Sequence, residues 1–378
     1  MTERDTHPSS THPPLPPTSE DDQLSCLRLL RSRRVGISTY QRLLIEHGTA
    51  QNALAALPSV ARAAGVENYE ICPEGVIHAE LKAGQRAGAK LIFHGSPSYP
   101  SILTDLPDAP PFLWAIGDAE LLNAPAIAIV GARNASSLGT RMARALAQDL
   151  AAEGYVIVSG LARGIDTAAH VAALDTGTIA VQAGGVDVIY PAKNTGLAGD
   201  IGDRGLRLSE QPMGLQPMAR HFPARNRIIS GLARATVVVE AAAKSGSLIT
   251  ARDALDLGRD VLAVPGHPFD ARAAGCNMLI RDGATLVRTA ADVIEALAPI
   301  AGTEPELPLA APPETRTLAE TAALHQQILD RLGPAPIAED QLIRDLGAGA
   351  AAVAPALVDL ELAGSISRAP GGLLSRAS

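Results

Sequence analysis

From about Lys90 to Leu297 the sequence predicts an α/β fold, a doubly wound, mostly parallel, Rossmann-like sheet, with an N-terminal helical domain before it and a C-terminal winged-helix-like domain after it. Three observations predict it. Short β-branched runs alternate with helical segments throughout this stretch, the pattern of strands joined by crossover helices. Glycine-broken turns, Gly131-Ala-Arg133 and Gly160-Leu-Ala-Arg-Gly164, follow two successive runs, where a parallel strand hands over to a helix. A proline-rich stretch over residues 298–317 then separates this body from a last segment of three helical patterns and a hairpin, and such a composition makes an extended tether.

Residues 1–20 are polar and proline-rich, lack the apolar core of a signal peptide, and are expected to be a disordered tail. Residues 21–86 read as a helical SAM/helix-hairpin-helix-like domain. Leu24, Leu27 and Leu30 mark one helix; Ser38 is the expected N-cap of a second, Tyr40 to His47, stopped by Gly48. Thr49 caps a third, Ala50 to Leu57, expected to end before Pro58. The Val35-Gly36-Ile37 turn resembles a helix-hairpin-helix element, but a lone turn of this kind favours a plain packing domain.

In the central body the expected strands are Leu91 to His94, Ile127 to Val130, Val156 to Ser159, Thr178 to Gln182, Leu206 to Ser209, Ala235 to Glu240, Val261 to Val264 and Thr285 to Val287. Helices are expected over Gly139 to Ala152, Asp166 to Asp175, Arg225 to Leu232, Ser247 to Leu257 and Ala290 to Leu297. Residues 318–378 read as helices Leu324 to Leu332, Ala338 to Leu346 and Gly349 to Leu362 with a hairpin from Ser365 to Ser375. The third of these helices contains no Arg or Lys, so it lacks the phosphate attraction of a DNA-reading helix and suits a packing or protein-contact role.

The 378 residues are 47% hydrophobic, 19% charged and only 3% aromatic, with a net charge of −8. An acidic total excludes a surface coated in positive charge, yet permits a local basic groove, because potential at a site depends on nearby charges. Scarce aromatics give weight to any that stands beside a basic cluster. Cys26, Cys72 and Cys276 lack metal-type spacing and read as reduced, buried thiols. No apolar run reaches the roughly 18 residues of a membrane span, and the expected location is the cytosol.

In an open α/β sheet, ligands bind beyond the carboxyl ends of the strands. Several motifs are expected there. Gly131, Arg133 and Ser136 lie in the turn after the Ile127 run, where bare amides at a helix start and an arginine fork suit a phosphate. This turn is not the dinucleotide fingerprint, since the Gly-x-Gly-x-x-Gly spacing is missing, so cofactor-dependent redox chemistry is not expected. One strand later Gly160 and Arg163 repeat the arrangement, with Asp166 expected to cap the helix that carries His170. Those two are read as capping and packing residues, for no nucleophile accompanies them. Lys193 offers a point charge after Tyr190-Pro191, and Asp187 with Tyr190 equally well ties that loop down.

The segment Arg220-His-Phe-Pro-Ala-Arg-Asn-Arg227 concentrates cations and one aromatic at a helix start, a costly arrangement for a scaffold alone. Arg220, Phe222, Arg225, Asn226 and Arg227 are therefore expected to grip a ligand, some of them holding the turn. Lys244, Ser245, Gly246 and Ser247 form a further anion cradle. No catalytic set, metal cluster or cofactor motif stands beside them.

In this order, Gly131-Ala-Arg133, Ser159-Gly-Leu-Ala-Arg-Gly-Ile-Asp-Thr-Ala-Ala-His170, Tyr190-Pro191, Ser209-Glu210, Phe222-Pro-Ala-Arg-Asn-Arg-Ile-Ile-Ser-Gly231, Ser245-Gly-Ser-Leu-Ile-Thr-Ala251 and Val264-Pro-Gly266 resemble the DNA-processing protein A (DprA/Smf) family. The resemblance is strong from Lys90 to Leu297 and looser in the flanking domains. It implies a single-stranded DNA-binding protein, not an enzyme, that protects incoming DNA, dimerises through its Rossmann-like domain and loads RecA recombinase past single-strand-binding protein in natural transformation. Two departures stand out: Ala192 follows Tyr-Pro where the family often has a cation, and Gln211 follows Ser-Glu where many members carry an aromatic. The rival from another class is a nucleotide-processing enzyme of the phosphoribohydrolase-like type, with Glu240 or Glu210 as its carboxylate, although the Pro-Gly-Gly-x-Gly-Thr run of those enzymes is missing. A third reading is an adaptor acting through the last domain.

Overall fold

The computed structural model describes residue 17 and residues 19–298 and 318–377. The expected tail lies outside the described residues up to its inner end, and so does the tether from residue 299 to 317. The chain divides into two units, Met1–Ala298 and Pro299–Ser378.

The first unit opens with four helices: α1 (Glu20–Arg31), α2 (Ile37–His47), α3 (Ala50–Ala63) and α4 (Glu74–Arg86). Ser19 and Asp22 form a capping box on α1, and Gly48 ends α2 while Thr49 caps α3. Two expectations fail. Helix α2 starts at Ile37 with Gly36 as its uncapped N-cap, so Ser38 lies inside the first turn. Helix α3 continues through Pro58, because Leu54 and Leu57 before it are buried in one core and Val60 after it packs against the same core. That burial offsets the roughly 3 kcal/mol cost of an interior proline.

The central body is built from β1 (Lys90–Phe93), β2 (Phe112–Gly117), β3 (Ala126–Gly131), α5 (Ser137–Ala152), β4 (Val156–Ser159), α6 (Ile165–Ala172), β5 (Thr178–Val181), α7 (Thr195–Arg204) and β6 (Leu206–Ser209). It continues with α8 (His221–Leu232), β7 (Ala235–Val239), α9 (Ser247–Asp256), β8 (Asp260–Ala263), α10 (Ala274–Arg281), β9 (Thr285–Leu286) and α11 (Ala290–Leu297). The nine strands form one sheet in the order β1-β2-β6-β5-β4-β3-β7-β8-β9. The β1–β2 and β2–β6 pairs are antiparallel and the others parallel. Each expected strand is present to within two residues. Strand β2 escaped notice because its run Phe-Leu-Trp-Ala-Ile-Gly has no polar alternation, and a short apolar run alone does not distinguish strand from helix. Helix α7 escaped because its glycines lower its propensity.

Helices cover both faces. Ile228, Ala251 and Cys276 from α8, α9 and α10 pack on one side, and Leu146, Ala168 and Val293 from α5, α6 and α11 on the other. All three cysteines are free and buried. The N-terminal helices share a core with Phe93 and Phe112 at the antiparallel edge. There Arg31 forks onto Glu80 at 3.0 and 2.9 Å while Trp114 Nε1 donates to the same carboxylate at 2.9 Å. Gly84 leaves room for that indole, since a Cβ there would lie 2.4 Å from it.

Beneath the carboxyl edge of the sheet lies a buried polar cluster. Gly164, not Asp166, is the N-cap of α6, and its φ of 80° together with a would-be Cβ 2.2 Å from the Ala132 carbonyl requires glycine. The Asp166 carboxylate instead turns back to accept from the amides of Gly160 (3.1 Å) and Ala162 (3.3 Å). His170 Nε2 accepts from Leu161 N at 3.3 Å, and its Nδ1 meets Thr178 Oγ1 at 2.7 Å. The Thr178 hydroxyl donates to the Ile157 carbonyl, so the histidine is neutral with its proton on Nδ1. Both side chains hold the loop before α6.

The second unit contains α12 (Leu318–Arg331), β10 (Ile337–Ala338), α13 (Glu339–Leu346), α14 (Ala350–Leu362), β11 (Ile366–Ala369) and β12 (Leu373–Arg376), with strand order β10-β12-β11. Ile328, Leu342, Val353, Leu357 and Leu374 form its core. Arg368 on the wing pairs with Glu339 and Glu361.

Burial, followed by the nearby Arg225, pushes His170 down to about 3. As pH falls from about 6.5 toward 3, the unfolded chain therefore gains a proton that the folded chain refuses, and stability declines by up to about 1.4 kcal/mol per pH unit. Asp166, raised by burial, opposes this above its ordinary range. Urea unfolding of wild type minus that of His170→Gln should isolate the histidine contribution, a difference that grows with pH across this window. A flat difference profile would contradict the assignment.

Candidate nucleic-acid interface

The strand order winds outward in opposite directions from β3 and β7, so the turns after these two neighbours diverge and leave a crevice at the carboxyl edge. A cavity of about 580 Å³ opens there. Gly131, Arg133 and Asn134 line it from the turn after β3; Phe222, Pro223, Arg225, Asn226 and Ile229 from α8. Lys244, Ser245, Gly246 and Ser247 contribute from the start of α9, and Arg272 from the loop after β8.

Arg225 forms the floor. It is 5% exposed, donates from Nη1 to the Val181 carbonyl at 3.1 Å, and leaves its Nε without a partner. Burial lowers its pKa to about 10; Asp166 opposes the shift and Arg133 adds to it. The guanidinium thus remains charged at neutral pH. It rests on Gly160, where a Cβ would lie 1.6 Å from Nη1. Gly160 serves as clearance for the arginine, because its amide is already taken by Asp166. Beside it Asn226 is 9% exposed and lines the same cavity. Buried polar groups are ordinarily paired, so the unpartnered Arg225 Nε at this floor points to a ligand.

Above this floor the Arg133 guanidinium lies over the Phe222 ring, 5.1 Å from its centroid, and Tyr190 meets the same ring at 5.7 Å. Arg133 and Lys244 are exposed. Arg272, an unforeseen member, pairs with Asp270 at 3.0 Å. Its sequence signal was modest, an arginine in the loop after a parallel strand, the position type of Arg133 and Arg163.

Other expected members lie elsewhere. Ser136 gives its amide to Glu240 at 2.8 Å and its hydroxyl to the same carboxylate, while its oxygen accepts from Gly139 N at 2.9 Å. The start of α5 is therefore filled by an internal anion and is not an open phosphate cradle; a helix N-terminus draws the nearest carboxylate. Arg227 is turned away from the cavity, donating to Asp108 at 2.7 Å, to Glu210 at 2.8 Å and to the Asp108 and Ala224 carbonyls. Its fork is spent on holding α8. Arg163, Lys193 and Arg220 are exposed outside the cavity wall, Lys193 on a short 3-10 turn, Ala192–Asn194. Ser245 and Ser247, which do line the cavity, bond each other through their hydroxyls at 2.7 Å at the start of α9. Among the described residues no group of His, Cys, Asp and Glu could hold a metal, and no helix is long and apolar enough to cross a membrane.

The model of the DNA recombination-mediator protein A family matches residues 90–298, that of the DprA-like N-terminal HHH domain residues 20–83, and that of the DprA winged helix domain residues 312–372. DNA processing protein DprA of Streptococcus pneumoniae is 50% identical over 198 residues, 52% of this chain and 70% of that protein. Protein Smf of Escherichia coli is 37% identical over 309 residues, 79% of this chain and 81% of its own length. Among solved structures, Streptococcus pneumoniae DprA aligns at 45% identity and TM-score 0.54, covering 57% of this chain and 76% of that one. The Helicobacter pylori DNA processing protein A, described for its single-stranded DNA binding mode, aligns at 31% identity and TM-score 0.52, covering 55% and 95%. With its central sheet, N-terminal helices and terminal winged helix all matched, the chain belongs to the DNA recombination-mediator protein A (DprA/Smf) family.

Proposed function

We propose that this protein binds single-stranded DNA in the cavity between β3 and β7 and, as a homodimer, protects incoming strands and loads RecA recombinase onto them without performing catalysis itself. The observation that carries the reading is the stack of exposed Arg133 on Phe222 in the same cavity as Asn226 and the unpartnered Nε of Arg225. Cations take the phosphates, and aromatic faces take bases of any sequence at about 1 to 3 kcal/mol each. In an acidic molecule this local cluster is what attracts a polyanion. The single-strand binding mode of the Helicobacter pylori relative supports the ligand, and the family's description as a recombination mediator supports loading. Gly131, Lys244, Ser245, Gly246 and Ser247 belong to the same contact surface, with Arg163, Lys193 and Arg220 as outlying cations.

The rival phosphoribohydrolase reading loses support from the site. Glu240 is engaged by Ser136, and Glu210 is buried against Arg227, so neither carboxylate faces the cavity as a free base.

Arg133→Ala should weaken single-strand binding and flatten the dependence of log affinity on log salt by about 0.7 for each phosphate that the guanidinium neutralises. Arg227→Ala should leave that slope alone and instead lower unfolding stability by about 3 kcal/mol, since it strands the Glu210 carboxylate, which is only 13% exposed. An unchanged slope in Arg133→Ala sinks the groove. The protein should hasten RecA assembly on strands precoated with single-strand-binding protein; DNA binding without that acceleration would dismiss loading. Incubation with AMP should release no ribose 5-phosphate, and turnover abolished by Glu240→Ala would favour the rival.

A further inference from the structure

Ten aromatic side chains of the Phe, Tyr and Trp types occur in the chain, and all are described. Eight are buried or half-buried. The remaining two, Tyr190 at 52% and Phe269 at 94% exposure, stand on loops of the central sheet. Tyr190 follows β5 and touches Phe222 of the cavity wall. Phe269 follows β8, three residues before Arg272 of the opposite wall. With strand order β5-β4-β3-β7-β8, the strands that the two aromatics follow lie on either side of the β3–β7 crevice, four strand spacings or about 19 Å apart.

Among the described residues nothing apolar shelters Phe269, which is 94% exposed, yet its loop is tied down. Gly266 N donates to Asn277 Oδ1 at 3.1 Å and Asn277 Nδ2 returns a bond to the Gly266 carbonyl at 2.9 Å. Turn hydrogen bonds from Asp270 N to His267 O and from Ala273 N to Asp270 O close the loop, and the Arg272–Asp270 fork braces it. The His267 ring lies 5.5 Å from the phenyl ring. An anchored loop thus holds a large apolar ring in water beside a cationic cavity. Such a ring is suited to stacking on a flat base whose backbone is anionic.

We infer that Phe269 is a second base-stacking platform, so that a single strand crosses the carboxyl edge of the sheet from the Tyr190–Phe222 pair, through the cavity, to Phe269. This rests on the single-strand reading above and extends it past the cavity to a loop that the motifs did not mark. The occupant is a nucleobase because the platform is continuous with the cavity through Arg272 and because the exposed aromatics are confined to its two flanks.

The test is a series of oligothymidylates from about 4 to about 16 nucleotides, titrated against wild type, Phe269→Ala, Phe269→Trp and Arg133→Ala. Short oligomers, which fill the cavity alone, should bind wild type and Phe269→Ala equally. Long ones should bind Phe269→Ala about 5- to 100-fold more weakly, while Phe269→Trp restores affinity and loses fluorescence on binding. Equal affinities of wild type and Phe269→Ala at every length, with Arg133→Ala still weakened, would overturn the platform and leave the cavity reading intact. Arg133→Ala binding as wild type would remove both. A fall in sedimentation mass of Phe269→Ala with unchanged DNA affinity would assign the ring to contact between copies of the chain and overturn the proposal.

Discussion

The burial of Arg225 against the bare backbone of Gly160 is the constraint on which the site depends. A guanidinium taken out of water is costly, and the structure retains it by pairing Nη1 with the Val181 carbonyl and by placing the Asp166 carboxylate nearby. Because Arg225 extends from the second turn of α8 into the sheet edge, it fixes where that helix begins. Phe222, one turn earlier, is thereby set at the mouth of the cavity, and Arg133 from a separate turn lies on its face. A methyl group at position 160 would evict the arginine and with it the alignment of the whole wall.

A second theme is the use of internal anions. The amides before α6 are given to Asp166, and the amide at the start of α5 is given to Glu240. Both are loops that follow parallel strands, where a free helix start commonly receives a ligand phosphate. Filling them rigidifies the turns and leaves recognition to side chains: the Arg133–Phe222 stack, Lys244, and the floor. That division suits a polymer held by several moderate contacts better than a small nucleotide held by one deep phosphate cradle. It also reconciles a net charge of −8 with a polyanionic ligand, since Asp166 and Glu240, the carboxylates behind these two turns, are engaged inward.

Elsewhere the arginines at the domain cores are paired. Arg31 is held by Glu80 where the N-terminal helices meet the sheet, and Arg368 of the winged unit is held by two glutamates. Helix α14 has no basic residue at all. Its surface therefore lacks the phosphate-gripping face of a DNA-reading helix, and the central sheet is where charge and aromatic surface coincide.

The alternation of strand and helix was legible because periodicity and glycine punctuation are local properties, and so was the gathering of Gly131, Arg133, Phe222, Asn226 and Lys244 at one edge, since parallel strands deliver their following turns to the same side. Roles within that set were not legible. Arg225 and Arg227 are two residues apart and chemically identical, yet one enters the floor while the other is spent on Asp108, 119 residues away in sequence. Ser136 looked open until Glu240, 104 residues distant, took its amide. Likewise Pro58 marked a helix end by its chemistry and was overruled by apolar residues on both sides seeking one core. Sequence alone determines which groups can bind an anion; tertiary structure decides which of them are left free to do so, because partners that neutralise a charge are brought close by folding and not by spacing along the chain.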